Sequence, residues 1–314
     1  MLFEISQNGA QYNGLCDDRL DFYWILRLTG SVKNIMILRI NLRLTTAIFM
    51  LVLSACIVPP APETRRQNAH DLASRHDWQA VTLDSHPYSL RSFIPGATTR
   101  TDTLSVYIEG DGHAWLSRRR VSTDPTPAKP VGLQLALLDN RPSAYLARPC
   151  QYIRQENCEP GLWTSARFSA EVIDANNQAL DRLKHLFGAG QLRLIGYSGG
   201  AAIAALLAVR RQDVIQLVTI AGNLDHAAWT QHHRVSPLSK SLNPADYWQT
   251  LATVPQLHFT GQNDRNIDRH VTEAYLDRFP AENRPPVKII EGADHDCCWA
   301  EHWPALLRIV YAGP

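Results

Sequence analysis

The sequence is poor in features that mark several functional classes. Charge is nearly balanced: 31 Lys and Arg stand against 30 Asp and Glu, a formal net charge of +1. No basic stripe runs along any segment, so no nucleic-acid partner is expected. One basic cluster, Arg118-Arg119-Arg120, reads as a solvated loop surface. No uninterrupted apolar run reaches the roughly 20 residues that a membrane-spanning helix needs. The six cysteines include no C-x-x-C pair and no zinc-type spacing, which removes thioredoxin-like redox chemistry and structural zinc. No internal repeat is visible. What is left is an ordinary globular composition, 45% hydrophobic and 19% charged, long enough for one large domain with a well-filled core.

A distinctive segment precedes that domain. Arg39-Ile40-Asn41-Leu42-Arg43 is basic, Leu44 to Leu53 is apolar, and Leu53-Ser54-Ala55-Cys56 follows. A basic stretch, a short apolar core and small residues before a cut describe a secretory signal. LSAC also resembles a bacterial lipobox. That resemblance implies that Cys56 is lipidated and becomes the first residue of the mature protein. The membrane is then met through a lipid anchor rather than a spanning helix. Ile57, not Asp, follows the cysteine. By resemblance to Gram-negative lipoproteins, this implies the outer membrane, facing the periplasm. Met36 opens the signal, so residues 1–35 are expected to be an over-extended start and 36–55 the signal peptide. Pro59, Pro60 and Pro62 sit in a polar stretch, so 56–77 is expected to be a tether and 78–314 the folded domain.

Export changes the reading of the later cysteines. Cys150, Cys158, Cys297 and Cys298 are even in number in an oxidising compartment. A Cys150–Cys158 bridge would close a short loop, worth about 2.5 kcal/mol in the loop-entropy account. Cys297 and Cys298 are adjacent and can be a strained vicinal disulfide or two thiols.

The domain alternates strand-like and helix-like stretches. Candidate strands are Gln79 to Leu83, Tyr88 to Ile94, Leu104 to Ile108, Ala144 to Ala147, Leu192 to Ile195, Ile215 to Ile220, Gln256 to Phe259 and Val287 to Ile290. Candidate helices are Val131 to Leu138, Ala170 to Leu186, Ala201 to Arg210, Arg269 to Arg278 and Trp303 to Val310. The later strands are continuously apolar, as strands covered on both faces must be. The alternation predicts an α/β fold: a mostly parallel, doubly wound, eight-stranded sheet with helices on both faces and antiparallel strands at its start. Three long connections, His113 to Lys129, Arg148 to Arg167 and Gly222 to Val254, are expected to wall a pocket.

Chemistry concentrates at the ends of three strands. Gly196-Tyr197-Ser198-Gly199-Gly200 matches G-x-S-x-G between an apolar strand and an Ala-rich helix. Asp264 follows the strand Pro255 to Thr260, and His295 follows the strand Val287 to Ile290. A serine hydroxyl near pH 7 needs a base within hydrogen-bond reach, and the base needs an orienting carboxylate. Ser198, His295 and Asp264 supply these in the order Ser…Asp…His. The rival acids are Asp225, Asp268 and Asp294, and the rival base is His302. Asp225, His226, His232 and His233 share one loop but fit no standard metal motif, so no metal site is expected.

This pattern resembles the α/β-hydrolase superfamily over residues 78–311. The resemblance implies a serine hydrolase without cofactor, acting on a small acyl substrate, with an ester as the leading case. Peptide, thioester or acyl-transfer chemistry and a non-catalytic surface-binding role remain as alternatives. It also implies two oxyanion-hole N–H donors. One is Gly199. The other lies in Glu109-Gly110-Asp111-Gly112, at Asp111 or Gly112. Asp111 and His113 can also meet substrate. Nothing in the sequence fixes an oligomeric state.

Overall fold

The computed structural model describes residues 59–312. Cys56, segment 36–55 and residues 1–35 lie outside the described residues. The chain begins with helix α1 (Pro62–Ser74), then strands β1 (Trp78–Asp84), β2 (Ser89–Pro95) and β3 (Thr103–Ile108). A small hairpin follows, β4 (Trp115–Ser117) and β5 (Arg120–Val121). Next come α2 (Val131–Leu137), β6 (Ser143–Leu146), α3 (Ala170–Phe187), β7 (Gln191–Tyr197), α4 (Gly199–Arg210) and β8 (Val214–Ile220). The last part holds α5 (His226–His233), α6 (Trp248–Leu251), β9 (Gln256–Gly261), α7 (Arg269–Leu276), β10 (Val287–Ile290) and α8 (Trp299–Ala312).

All eight strands expected from the sequence join one sheet in the order β1-β2-β6-β3-β7-β8-β9-β10. β1 pairs antiparallel with β2, and β2 antiparallel with β6. Every other pairing in this sheet is parallel. Helices on both faces bury the apolar strands, which is why β8 and β9 carry almost no exposed position. One core layer lies between the sheet and α3 and α4, and the other between the sheet and α1, α2 and α8. From Gly199 to Ala208 every residue of α4 is buried, consistent with its all-round small and apolar composition. Ser169 caps α3 by accepting from Val172 N, and Gly188 ends it in the left-handed region.

The topology positions the site. β3 lies between β6 and β7, so the chain leaves β3 to one side through α2 and returns to the other through α3. The crevice opened by such a reversal lies at the carboxyl ends of the strands. The turns after β3 and β7 meet there.

The tether expectation for 56–77 is corrected from Pro62 onward. That stretch folds as α1 and buries Arg65, Ala69 and Ala73. Arg65 Nη1 donates to Thr126 O at 2.5 Å, and Arg66 pairs with Asp124. Polarity was misleading here because the docking face is two alanines and an arginine rather than large apolar residues.

Candidate active site

Ser198 sits between β7 and α4 at φ 52° and ψ −120°. That conformation is uncommon for a residue with a Cβ and stores local strain. Three bonds hold the turn: Ser198 N donates to Ile220 O at 2.9 Å, and Asn223 N and Ala201 N each donate to Ser198 O at 3.1 Å. Gly200 is required because a Cβ there would collide with Ile108 O on β3. The elbow can therefore pack directly against the neighbouring strand.

Ser198 Oγ lies 2.9 Å from His295 Nε2, and His295 Nδ1 lies 2.9 Å from Asp264 Oδ2. The Asp264 side chain is fully shielded. Its Oδ1 accepts from Asn266 N and Ile267 N, both at 2.8 Å. An ionised carboxylate only accepts, so Nδ1 carries the proton facing Asp264 and Nε2 keeps its lone pair toward Ser198. Burial lowers the His295 pKa, but the bond to Asp264 and its charge more than reverse this, so it stands above the ordinary 6.5. The His295 backbone is anchored as well: its carbonyl accepts from Tyr197 Oη at 2.9 Å and Trp299 Nε1 at 3.1 Å.

The rival residues are engaged elsewhere. Asp225 caps α5 through Ala227 N and Ala228 N and pairs with Arg278 at 3.1 Å. Asp268 caps α7 and lies 2.8 Å from His232 Nε2. Asp294 accepts from Asp296 N and Cys297 N. His302 lies within α8. The four residues weighed as a metal group are separated in role: Asp225 caps, His226 is buried against Phe168, His232 faces Asp268, and His233 Nε2 meets Asn266 O at 2.7 Å.

The turn after β3 crosses the elbow. A Cβ added at Gly110 would lie 3.2 Å from Ser198 Cβ, and one at Gly199 would collide with Asp111 Oδ1. Gly199 opens α4, so its N–H has no intrahelical acceptor. Among the described residues, neither Asp111 nor Gly112 donates its N–H to a protein group. Gly112 adopts φ +63°, and a Cβ there would strike Pro125 O. Gly199 follows Ser198 in the chain, and Asp111 and Gly112 line the same cavity as Ser198.

Several site residues were not foreseen. The Asp111 carboxylate is gripped by both Arg148 and Arg167, which stand at the two ends of the predicted pocket-walling connection. Burial would raise its pKa; the two guanidinium charges hold it below the ordinary range instead. Arg148 Nη2 also donates to Arg167 O at 2.6 Å, closing the loop upon itself. Glu109, beneath the same turn, is buried and receives Gly110 N at 2.9 Å. Burial pushes its pKa up to about 7. Asn266 Nδ2 lies 3.0 Å from His295 Nε2. Asn266 follows Asp264 by a short turn, which was the only sequence signal for it. A cavity of about 400 Å³ is lined by Ser198 and His295 together with Asp111, Gly112, His113 and Lys129.

Both later cysteine pairs are disulfides, Cys150–Cys158 and Cys297–Cys298. The first ties the segment between β6 and α3. The second begins two residues after His295.

No protein-family model matches the chain, and no curated protein matches it by sequence. Its backbone is similar to several solved structures. An esterase from Pyrococcus furiosus superposes with a TM-score of 0.54 at 12% identity, covering 82% of this chain and 99% of that one. The protein Est1E from Butyrivibrio proteoclasticus gives 0.52 at 12% identity, covering 74% and 97%. DcsB, solved with its substrate analogue, gives 0.54 at 10% identity, covering 76% and 100%. At such identities the likeness bears on architecture alone. Together with the parallel eight-stranded sheet and its flanking helices, it shows that this chain has the α/β-hydrolase fold.

Proposed function

We propose that this chain is a serine hydrolase that cleaves acyl esters through an acyl-Ser198 intermediate. The observation that carries the reading is the hydrogen-bonded line from Ser198 Oγ through His295 to Asp264, 2.9 Å at each step, ending at a serine in a strained turn. Ser198 Oγ attacks the carbonyl carbon as its proton passes to His295 Nε2. Asp264 stabilises the imidazolium that results. Negative charge gathers on the former carbonyl oxygen, where Gly199 N–H and the Asp111 or Gly112 N–H receive it; each such donor is typically worth about 3 kcal/mol. The leaving alcohol takes the proton from Nε2. Water then enters, gives its proton to the same nitrogen and attacks the acyl-serine, releasing the acid and restoring Ser198.

The test is active-site labelling. A fluorophosphonate probe should modify the wild-type chain at Ser198 and leave Ser198→Ala unmodified. The same change should lower kcat on a short nitrophenyl ester by roughly 10⁴–10⁶-fold. Hydrolysis retained by the alanine variant would remove Ser198 from the nucleophile role.

We also propose that Cys56 is lipidated and that the domain is held at the bacterial envelope, at the outer membrane facing the periplasm. The support is positional: Arg39 to Arg43, the apolar run to Leu53, then LSA before Cys56. Two or more acyl chains bury many methylenes at about 0.8 kcal/mol each, enough for stable anchoring. Expression from Met36 should place the protein in the membrane fraction with a lipid-modified Cys56 at its N-terminus. Cys56→Ala should leave that fraction. Equal membrane association of both would show an ordinary anchor instead.

A further inference from the structure

The three long connections expected to wall a pocket do meet, around a groove of about 870 Å³. Hairpin β4–β5 forms one wall, the segment before Arg167 a second, and the stretch from Trp229 to Leu238 a third. Arg118, Arg119, Arg167 and Arg234 line it, and no Asp or Glu does. Among the described residues, Arg118, Arg119 and Arg234 take part in no ion pair, while Arg167 shares the single charge of Asp111 with Arg148. The wall therefore carries uncompensated positive charge, which attracts an anion.

Solvated surface arginines are common, but this groove is also apolar. Five large hydrophobic side chains are conspicuously exposed among the described residues. Three of them, Trp115 at 42%, Leu116 at 41% and Val235 at 40%, line this one groove. Apolar exposure gathered in one concavity marks a binding site, whereas scattered exposure does not.

Two residues of the groove wall are bonded to residues around the candidate nucleophile. Arg167, in its wall, holds Asp111, which lies against Gly199. Trp229, in the opposite wall, donates its indole N–H to Asn266 Oδ1 at 3.0 Å, and Asn266 meets His295. What occupies the groove is thus coupled, through Arg167–Asp111 and Trp229–Asn266, to the residues flanking Ser198 and His295.

We propose that the groove holds the non-reacting part of the substrate, and that this part is an anionic head group carried on an apolar chain. The inference rests on the hydrolase reading of Ser198 for its link to catalysis, but the binding itself does not. Guanidinium forks suit carboxylate and phosphate oxygens, and the Trp115, Leu116 and Val235 surfaces suit the chain. The cluster read from the sequence as a plain solvated surface is then a recognition element.

Calorimetric titration of the full chain carrying Ser198→Ala tests this without turnover. Decyl phosphate and decanoate, each below its micelle threshold, should bind at least about tenfold more tightly than decan-1-ol, because charge-assisted bonds add to the shared apolar contact. Their order identifies the head group. Inorganic phosphate alone should bind at least about tenfold more weakly than decyl phosphate. Adding Arg118→Ser with Arg119→Ser, or separately Arg234→Ser, should weaken decyl phosphate while decan-1-ol affinity stays level; circular dichroism verifies that each variant is folded. Equal binding of decyl phosphate and decan-1-ol, equal binding of inorganic and decyl phosphate, or unchanged affinity in both folded arginine variants overturns the proposal. Fluorophosphonate labelling of the wild-type chain is read separately. Charge-selective binding without labelling rejects the hydrolase reading alone, and labelling with charge-blind binding rejects the groove alone.

Discussion

Asn266 donates its side-chain N–H to His295 Nε2 at 3.0 Å, the same nitrogen that stands 2.9 Å from Ser198 Oγ. The direction of the amide is fixed by Trp229, whose indole can only donate and therefore selects Oδ1. A donor on that lone pair favours the neutral imidazole and opposes its protonation. It also competes with the serine proton. Asn266 is thus a positioning residue for the candidate base. Asn266→Ala should move the acid limb of the kcat/KM profile to higher pH, as the imidazole becomes more basic. In the wild type that limb should already lie above 6.5, since Asp264 raises His295 beyond what burial takes away. Activity rises with pH through this limb because the base must be neutral. An acid limb at the same pH in the variant would leave Asn266 with a structural role only.

Asp264 and Asp225 give a second contrast. Asp264 touches His295 at 2.9 Å, whereas Asp225 is engaged with α5 and Arg278. Asp264→Asn should lower kcat by about 10⁴-fold near neutral pH, through the wrong imidazole tautomer and an unstabilised imidazolium. Asp225→Asn should leave kcat within a few fold and lower the melting temperature, because a buried acceptor of four bonds is weakened. Parallel kinetics and thermal melts of the two variants decide it. A larger kinetic loss at Asp225 would transfer the acid to the turn after β8.

The scaffold and the hydrogen-bonded line of Ser198, His295 and Asp264 were legible for definite reasons. Apolar strands covered on both faces announce themselves, and all eight entered the sheet. Ser198, Asp264 and His295 each fall just past a strand, and a parallel sheet gathers such positions at one edge. What was not legible depends on contacts distant in sequence. Nothing local says that Arg148 and Arg167 converge on Asp111, or that Trp229 orients Asn266 across from α5. Helix α1 was missed because its buried face is small and partly charged. Arg118 and Arg119 looked like ordinary solvated charge until the hairpin placed them beside Trp115 and across from Arg234.

Glu109 provides a test that does not depend on turnover. Its carboxyl lies buried under the turn that crosses Ser198, and one oxygen, Oε2, has no partner among the described residues. Burial raises its pKa from 4.5 to about 7. A folded-state pKa above the unfolded value means that the stabilising form is the protonated one. The contribution is therefore fully present below 4.5 and lost as pH rises through about 7. Between those limits the wild type should lose about 3 kcal/mol from this group, at 1.36 kcal/mol per unit. Glu109→Gln cannot ionise and should escape that loss. Urea unfolding at pH 5 and pH 8 should show the variant gaining on the wild type across the interval, by a shift of the midpoint at constant slope. Stability curves that stay parallel between the two pH values would mean that Glu109 is ionised in the folded protein, and that its unpartnered oxygen is met by solvent.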